Sequence, residues 1–409
     1  MFRLQFCLCP SVDIIDIIVQ NIFASFLIVL CGAWTGGFLY LIVSMRRLPR
    51  LERESPPAPS VWPRLSVIVP ACNEAAHIES ALASLVQQDY PNLEIILVND
   101  RSMDGTGKII DRFASSDARI HAVHVDQLPA GWLGKVHALQ CGIQKATGTW
   151  LLFTDADVHF TGGTLRRAVA FALNQGCDHL ALIPLTLESG FWLDVVVRTF
   201  GLLFFVTTRA GSANRPSSKT FVGIGAFNLV RAQTLCRTQG FEWLRLEPAD
   251  DVGLALMIKL AGGVSRLAIA YENLTVEWYP TVGAMFKGLE KNLFGPACYY
   301  HWWLMLIQVG VLCALAVAPL TALGWGLQQP SLPVLLSGLS AVVAHGIFSL
   351  VVDHRGREAV GVLMLPVGLL MIGAMLIRAA YKCIQNGGVD WRGTHYSLAE
   401  LRAGQRVRF

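Results

Sequence analysis

Charge is scarce in this 409-residue chain: only 15% of its residues are Asp, Glu, Lys or Arg, against about 25% in an ordinary soluble domain. That shortage disfavours disorder, a charged coiled coil and a purely soluble enzyme. A one-sided charge excess is missing as well. Lys and Arg number 33 and Asp and Glu 29, for a net charge of +4, too mild a basic balance for a nucleic-acid partner. The ten cysteines form no Cys-x-x-Cys pair. Scattered, and several of them inside apolar runs, they read as reduced thiols rather than as a disulfide framework or zinc site. What the chain has instead is 53% hydrophobic residues and a mean hydropathy of +0.48. The first reading is an integral membrane protein with room for one large domain beside its membrane part.

The apolar residues cluster. A block at 14–43 is long enough for a helix to cross a hydrocarbon core of about 30 Å. It is too long for a signal peptide, its leading positive charge is only Arg3, and no small-residue cleavage site follows. Arg46, Arg47, Arg50 and Arg53 come next, which puts that flank on the cytoplasmic side. Three further blocks lie at 302–325, 332–352 and 360–380. An uncharged turn (Gln328, Gln329, Pro330) separates the first two, and a polar one (Asp353, His354, Arg355, Gly356, Arg357, Glu358) the last two. Three crossings would leave the tail outside, yet the tail carries Lys382, Arg392, Arg402, Arg406 and Arg408. Either one block is re-entrant or the tail charges are overridden; the sequence leaves both open. The stretch 191–206 contains Asp194 and Arg198 and is short for a span. An amphipathic helix in the interface is expected there, with an ordinary buried helix as the other reading.

Between residues 60 and 285 the composition becomes ordinary. A linker with Pro49, Pro56, Pro57, Pro59 and Pro63 precedes this region and is extended and semi-rigid. Strand signals at 65–69, 94–98, 120–125 and 150–154 alternate with helix signals at 75–88, 105–113 and 135–146, the first of these helices with apolar Ile78, Ala81, Leu82 and Leu85 on one face. This alternation predicts an α/β domain with a mostly parallel sheet flanked by helices, in which ligands sit at the carboxyl ends of the strands.

Polar residues fall at those ends: Pro70 to Glu74 after one strand, Asn99 to Thr106 after the next, Asp155 and Asp157 after a later one. Any single acid there could be a helix N-cap, Asp104 before Gly105-Thr106 above all; three acidic ends at once are harder to explain by capping. Asp155 and Asp157, at i and i+2, share a face if the strand continues through them. Paired carboxylates suit Mg²⁺ or Mn²⁺, which would bridge phosphates. His121 and His124 point to opposite faces of a strand and do not chelate. Asp250 and Asp251 open an apolar helix that stops at Gly262-Gly263. One of them is enough for a cap, and the other could take a proton from an attacking hydroxyl.

Taken together, the runs at 66–74, 97–106 and 154–157 and the pair Asp250-Asp251 resemble the family 2 glycosyltransferases with the GT-A fold, over roughly residues 64–265. Gly131 to Leu139, a Gly225-Ala-Phe strand, Lys291 to Gly295 and the tail string Val389 to Tyr396 look like the membrane-bound branch that includes hopene-associated, carotenoid and ceramide-type lipid glycosyltransferases. The resemblance implies that Pro70, Glu74 and Asp100 line the nucleotide pocket, with Asp100 near base and ribose. Asp104 would support that loop and Lys135 would lie near the diphosphate. Asp155 and Asp157 would form the DxD motif, Asp157 being the direct ligand of Mg²⁺ or Mn²⁺. Asp251 would be the catalytic base, at the second position of the family's Glu-Asp pair; Asp250 stands where the family has Glu, which blurs the choice between the two.

The resulting expectation is a GT-A domain at 64–285 with an interfacial helix near 190–207. One membrane helix within 1–45 and a linker at 46–63 precede it. An interfacial segment and about three transmembrane helices at 286–381 follow, and then a basic tail at 382–409. Such a protein is multi-pass in the cytoplasmic (inner) membrane with its catalytic domain in the cytoplasm. It moves one sugar from a nucleotide-diphosphate sugar, UDP-linked rather than GDP-linked, to a lipid acceptor, with inversion. Two alternatives stand beside it. A processive polysaccharide synthase carries a Gln-x-x-Arg-Trp motif after the acidic pair. No such motif is evident, and Gln239 to Trp243 lies before the pair with Glu242 where Arg belongs. A transporter or scaffold with a degenerate domain would lack site carboxylates, whereas Asp100, Asp155, Asp157 and Asp251 are all present. It would also place ionisable groups inside its membrane blocks, where only His345 qualifies clearly, and a histidine bonded to a neighbouring helix explains that one.

Overall fold

The computed structural model describes residues 14–187, 190–215, 217–352 and 357–408. Arg3, Cys7, Cys9 and the turn at 353–356 lie outside the described residues. The eight described cysteines are free. The chain forms two compact units, one of residues 43–309 with 371–409, the other of 310–370 with the part of the chain before residue 43.

The strands of the larger unit are β1 (Leu65–Ala71), β2 (Leu93–Asp100), β3 (Ile120–Val125), β4 (Trp150–Phe153), β5 (Val158–Phe160), β6 (His179–Ile183), β7 (Leu185–Thr186), β8 (Asn228–Arg231), β9 (Ser265–Ile269), β10 (Leu274–Val276), β11 (Gly388–Trp391) and β12 (Thr394–Ser397). Seven of them form one sheet in the order β3-β2-β1-β4-β8-β6-β9. It is parallel except at β8, which runs antiparallel to both neighbours. The central strands are buried on both faces, as the run Leu65, Val67, Ile68 and Val69 requires. Helices cover them. Helix Ile78–Val86 buries Ile78, Ala81, Leu82 and Leu85, the four residues its periodicity marks. Helix Gly134–Lys145 lies so close to β1 and β2 that a side chain on Gly142 would start 2.5 Å from Ile68 Cγ2 and 3.2 Å from Val98 Cγ2. The core places β2, β1 and β4 side by side, so the loops after them meet at one sheet edge.

Two local expectations need correction. Residues 225–227 are a turn leading into β8, not a strand: Phe227 N–H donates back to Ile224 O at 2.9 Å, and Gly225 O accepts from Asp155 N–H at 3.2 Å. Likewise β4 ends at Phe153, and Asp155 and Asp157 sit in the connection to β5. Their proximity comes from that connection rather than from strand alternation.

Among the described residues, four helices are long and apolar enough to cross a membrane: Ile14–Arg47, Trp302–Gln328, Leu332–Val351 and Leu365–Gln385. In the smaller unit, Trp34 Nε1 donates to Leu315 O at 2.6 Å and Thr35 Oγ1 lies 3.1 Å from Ser340 Oγ. Gly338 lets its helix approach Pro319 and Ala322 to 3.0 Å of where a side chain would begin, the small-residue contact typical of helices in lipid. His345 bonds Val362 O at 2.7 Å and stacks on Phe38 at 4.8 Å, a satisfied packing histidine. Helix Phe191–Thr207, in the larger unit, buries Leu193, Val195, Val196, Thr199 and Phe205 and leaves Phe191 and Trp192 exposed.

The tail packs with the polar domain. The chain leaves the larger unit at Val309 and rejoins it at Met371, and Arg378 pairs with Glu290 at 2.6 Å. Reporter tags at the C-terminus and in the polar domain should give the same membrane side in protease-accessibility assays; opposite sides would contradict the packing of the tail. The domain itself is pinned by Glu94 on β2. Its carboxylate accepts from Ser66 Oγ, from Thr147 N–H (2.6 Å) and Oγ1 (2.8 Å), and from Arg64 (2.9 Å). Burial alone would raise this carboxyl, but those donors hold it down at about 2, below the ordinary value near 4.3. Its contribution is present above pH ~4 and is lost as pH falls through ~2. Glu94→Ala should cost about 3 kcal/mol and flatten that acid limb in denaturant unfolding.

Candidate active site

The site is built from loops at the sheet edge and two helix N-termini. Lys135, at the start of helix Gly134–Lys145, reaches 2.7 Å from Asp155 Oδ1 and 3.5 Å from Asp250 Oδ2. Burial pulls its ammonium down, but Asp155, Asp250 and Asp251 outweigh burial and raise it above the usual lysine range. Asp250 and Asp251 begin helix Asp250–Leu260. Asp251 Oδ1 accepts from Val252 N–H at 2.8 Å. Burial, and then the neighbouring Asp250, push the Asp251 carboxyl up to about 7. Asp250 is almost fully buried, and burial raises it too. A small cleft is lined by Pro70, Lys135, Asp155, Gly225, Asp250 and Asp251.

Glycine makes this crowding possible. A side chain on Gly225 would begin 2.6 Å from Asp155 Oδ2 and 3.6 Å from Asp251 Oδ2, so the two carboxylates approach across a residue with no Cβ. Gly134 plays the same part beside Asp100, whose Oδ2 lies 2.5 Å from where its side chain would start.

Asp157 is pushed up to about 7, by burial first and then by the charges of Asp155 and Glu74. Carboxylates that raise one another this way mark a place short of positive charge. Among the described residues no group of three acidic, His or Cys side chains forms a complete metal cage. Two carboxylates with room for phosphate oxygens are, however, what Mg²⁺ or Mn²⁺ uses beside a bound diphosphate, and Asp155 and Asp157 fit that donor set.

The remaining expected residues divide. Pro70 lines the cleft near the end of β1. Asp100 ends β2 and is 3% exposed, both oxygens held by Arg101 at 2.7 and 3.1 Å. Asp104 stands apart and exposed. It accepts from Thr106 N–H (2.9 Å) and Oγ1 (2.6 Å), just before helix Thr106–Ser116, and ties in Ala75 N–H at 3.1 Å, so it supports the loop. Glu74 faces Arg392 at 2.6 Å.

Reading along the chain missed the C-terminal contribution. Lys291 Nζ lies 3.8 Å from the Trp391 ring centroid. Burial, then Lys135 and Arg392, lower Lys291 to about 8. Glu247, three residues before Asp250, is buried and accepts the N–H groups of Arg406 and Val407 at 2.6 and 2.9 Å. Gln405 and Arg408 also stand at the Gln-x-x-Arg spacing, followed by Phe409 rather than Trp; Gln405 Nε2 donates to Gly295 O at 2.8 Å. The charge run in the tail was the available signal.

Comparison with known proteins bears on the fold and its family likeness. Residues 66–234 match the glycosyl transferase family 2 model. A putative teichuronic acid biosynthesis glycosyltransferase of Bacillus subtilis is 30% identical over 28% of this chain and 44% of its own length. A GalNAc(5)-diNAcBac-PP-undecaprenol beta-1,3-glucosyltransferase of Campylobacter jejuni is 32% identical over 29% and 37%. A 4,4'-diaponeurosporenoate glycosyltransferase of Staphylococcus aureus is 35% identical over 27% and 28%. The chain thus spans less than half the length of these relatives. A mannosyltransferase of Pyrobaculum calidifontis, solved with GDP-Man and Mn2+, superposes with a TM-score of 0.51 at 20% identity, covering 89% of this chain and 99% of that one; it shows the fold. The domain has the GT-A fold, and its residues 66–234 are similar to glycosyl transferase family 2.

Gly225→Ala should displace Asp155 and cut nucleotide release from a sugar donor at least tenfold with the melting temperature nearly unchanged. Full activity in that variant would contradict the close approach of Asp155 and Asp251.

Proposed function

We propose that the protein is an inverting, metal-dependent, non-processive glycosyltransferase that moves one sugar from a nucleotide-diphosphate sugar to a lipid hydroxyl at the cytoplasmic face of the membrane. The observation that carries this reading is the Lys135-centred cluster of Asp155, Asp250 and Asp251 at the cleft, in a family 2 domain joined to helices able to cross a membrane.

In this reading Asp251 is the base. A carboxyl raised toward neutrality by burial is matched to taking a proton from a hydroxyl near pH 7. The deprotonated acceptor attacks the anomeric carbon from the face opposite the nucleotide, so configuration inverts. Lys135 lies beside Asp155 and supplies positive charge near the leaving diphosphate. Mg²⁺ or Mn²⁺, held by Asp157 with Asp155, would screen the charge of that leaving group. Asp100 marks the base and ribose end of the pocket, and UDP is the favoured nucleotide. The acceptor class is supported by the polyprenyl-diphosphate and carotenoid acceptors in the names of two relatives. It is also supported by exposed Phe191 and Trp192, amphipathic aromatics of the kind found at membrane interfaces. The Gln405 and Arg408 spacing favours one second reading, processive synthesis, and product length separates the two.

The test is nucleoside-diphosphate release by the detergent-purified protein with UDP- or GDP-sugars, Mg²⁺ or Mn²⁺ and bacterial lipid extract. Release should require lipid and metal, yield a lipid carrying one sugar, and fall on the order of 10²–10⁴-fold in Asp251→Asn. Unchanged release in that variant would remove Asp251 from the role of base, and a polymeric product would favour the processive reading.

A further inference from the structure

We propose that the C-terminal hairpin of β11 and β12 is a wall of the donor site and that Arg392, at its tip, binds the donor's diphosphate. This rests on the glycosyltransferase reading above and extends its site to a segment far from the family-matched region.

The hairpin touches two of the loops that carry donor candidates, those after β1 and β2. Arg392 Nη1 donates to Cys72 O, and Nη2 meets Glu74 Oε1 at 2.6 Å, both after β1. Arg101, which holds Asp100 after β2, reaches Thr394 Oγ1 at 3.5 Å. Trp391 lies against Lys291. The N-termini of the Lys135 and Asp250 helices complete the same corner.

The backbone at the tip supports a functional role for Arg392. Trp391 and Thr394 pair across the hairpin, leaving Arg392 and Gly393 as the turn, with φ of 50° and 80°. A two-residue turn with both φ positive favours Asn-Gly or Gly-Gly, so an arginine in the first position is strained. Its ion pair with Glu74 is 41% exposed on the arginine side, and such pairs return little stability. Backbone strain at a residue whose ion pair is this exposed points to function. The chemistry of the corner indicates the ligand. Lys135, Lys291 and Arg392 converge closely enough that Lys135 and Arg392 both act on the Lys291 ammonium. Glu74 takes one arm of the guanidinium, Nη2, and Cys72 O the other; a fork held this way matches two phosphate oxygens. A diphosphate can therefore take Arg392 from Glu74 without moving the hairpin.

The experiment is calorimetric binding of UDP, and in parallel GDP, with Mn²⁺ to the full-length protein in detergent, repeated with UMP and GMP. Arg392→Ala should weaken diphosphate binding at least tenfold and monophosphate binding less than threefold, and leave the melting temperature within 2 °C. Arg392→Lys should fall between wild type and Arg392→Ala, and it carries the comparison if Arg392→Ala does not fold. Equal binding of the diphosphate by wild type and variant would overturn the proposal, as would an equal loss of di- and monophosphate. If the wild type binds neither nucleotide, the transferase reading fails and the hairpin proposal falls with it; if the wild type binds and the variants do too, only the hairpin proposal falls.

Discussion

One ammonium among carboxylates sets the terms for this site. Asp155, Asp250 and Asp251 crowd a half-buried corner where ionised groups are unstable unless a cation is shared among them, and Lys135 is the cation the chain supplies. Its placement depends on Gly142, which seats its helix on β1 and β2. The approach of the acids depends on Gly225, which leaves room for two of them. Sheet order, helix packing and the glycines thus converge on holding negative charge in a small space. Lys135 offsets only part of it. Asp157 and Asp251 are still pushed up to about 7, which leaves the corner receptive to a further cation.

A second constraint comes from the end of the chain. Glu247, just before the acidic helix, is satisfied by the backbone of Arg406 and Val407, and the hairpin at 388–397 closes on the loops after β1 and β2. A buried carboxylate without such donors is costly, so the tail is part of the domain's fold.

Much of this was legible locally. The face of helix Ile78–Val86 followed from periodicity, because burial of one face acts within the helix. The strand ends carrying Glu74, Asp100 and Asp155 followed from short apolar runs ending in polar residues. What was not legible depends on distant pairing. β8 enters antiparallel between β4 and β6, which no local pattern encodes. The turn at 225–227 reads as strand until Asp155 is seen to bond Gly225 O. Asp104, one of the acids gathered at the strand ends, instead accepts from Thr106 N–H and Ala75 N–H and ties two loops together. Cys72 and Arg392 meet across 320 positions, so the tail's basic charges suggested a membrane side rather than a site.

The most direct test of the central claim, that these carboxylates form a cation-dependent diphosphate site, is an anomalous-scattering structure of the protein with Mn²⁺ and UDP or GDP. The account predicts a manganese peak coordinated by Asp157 or Asp155 and by diphosphate oxygens, with Lys135 beside the same diphosphate. A nucleotide bound elsewhere, or one in the cleft whose Mn²⁺ touches neither Asp155 nor Asp157, would contradict it.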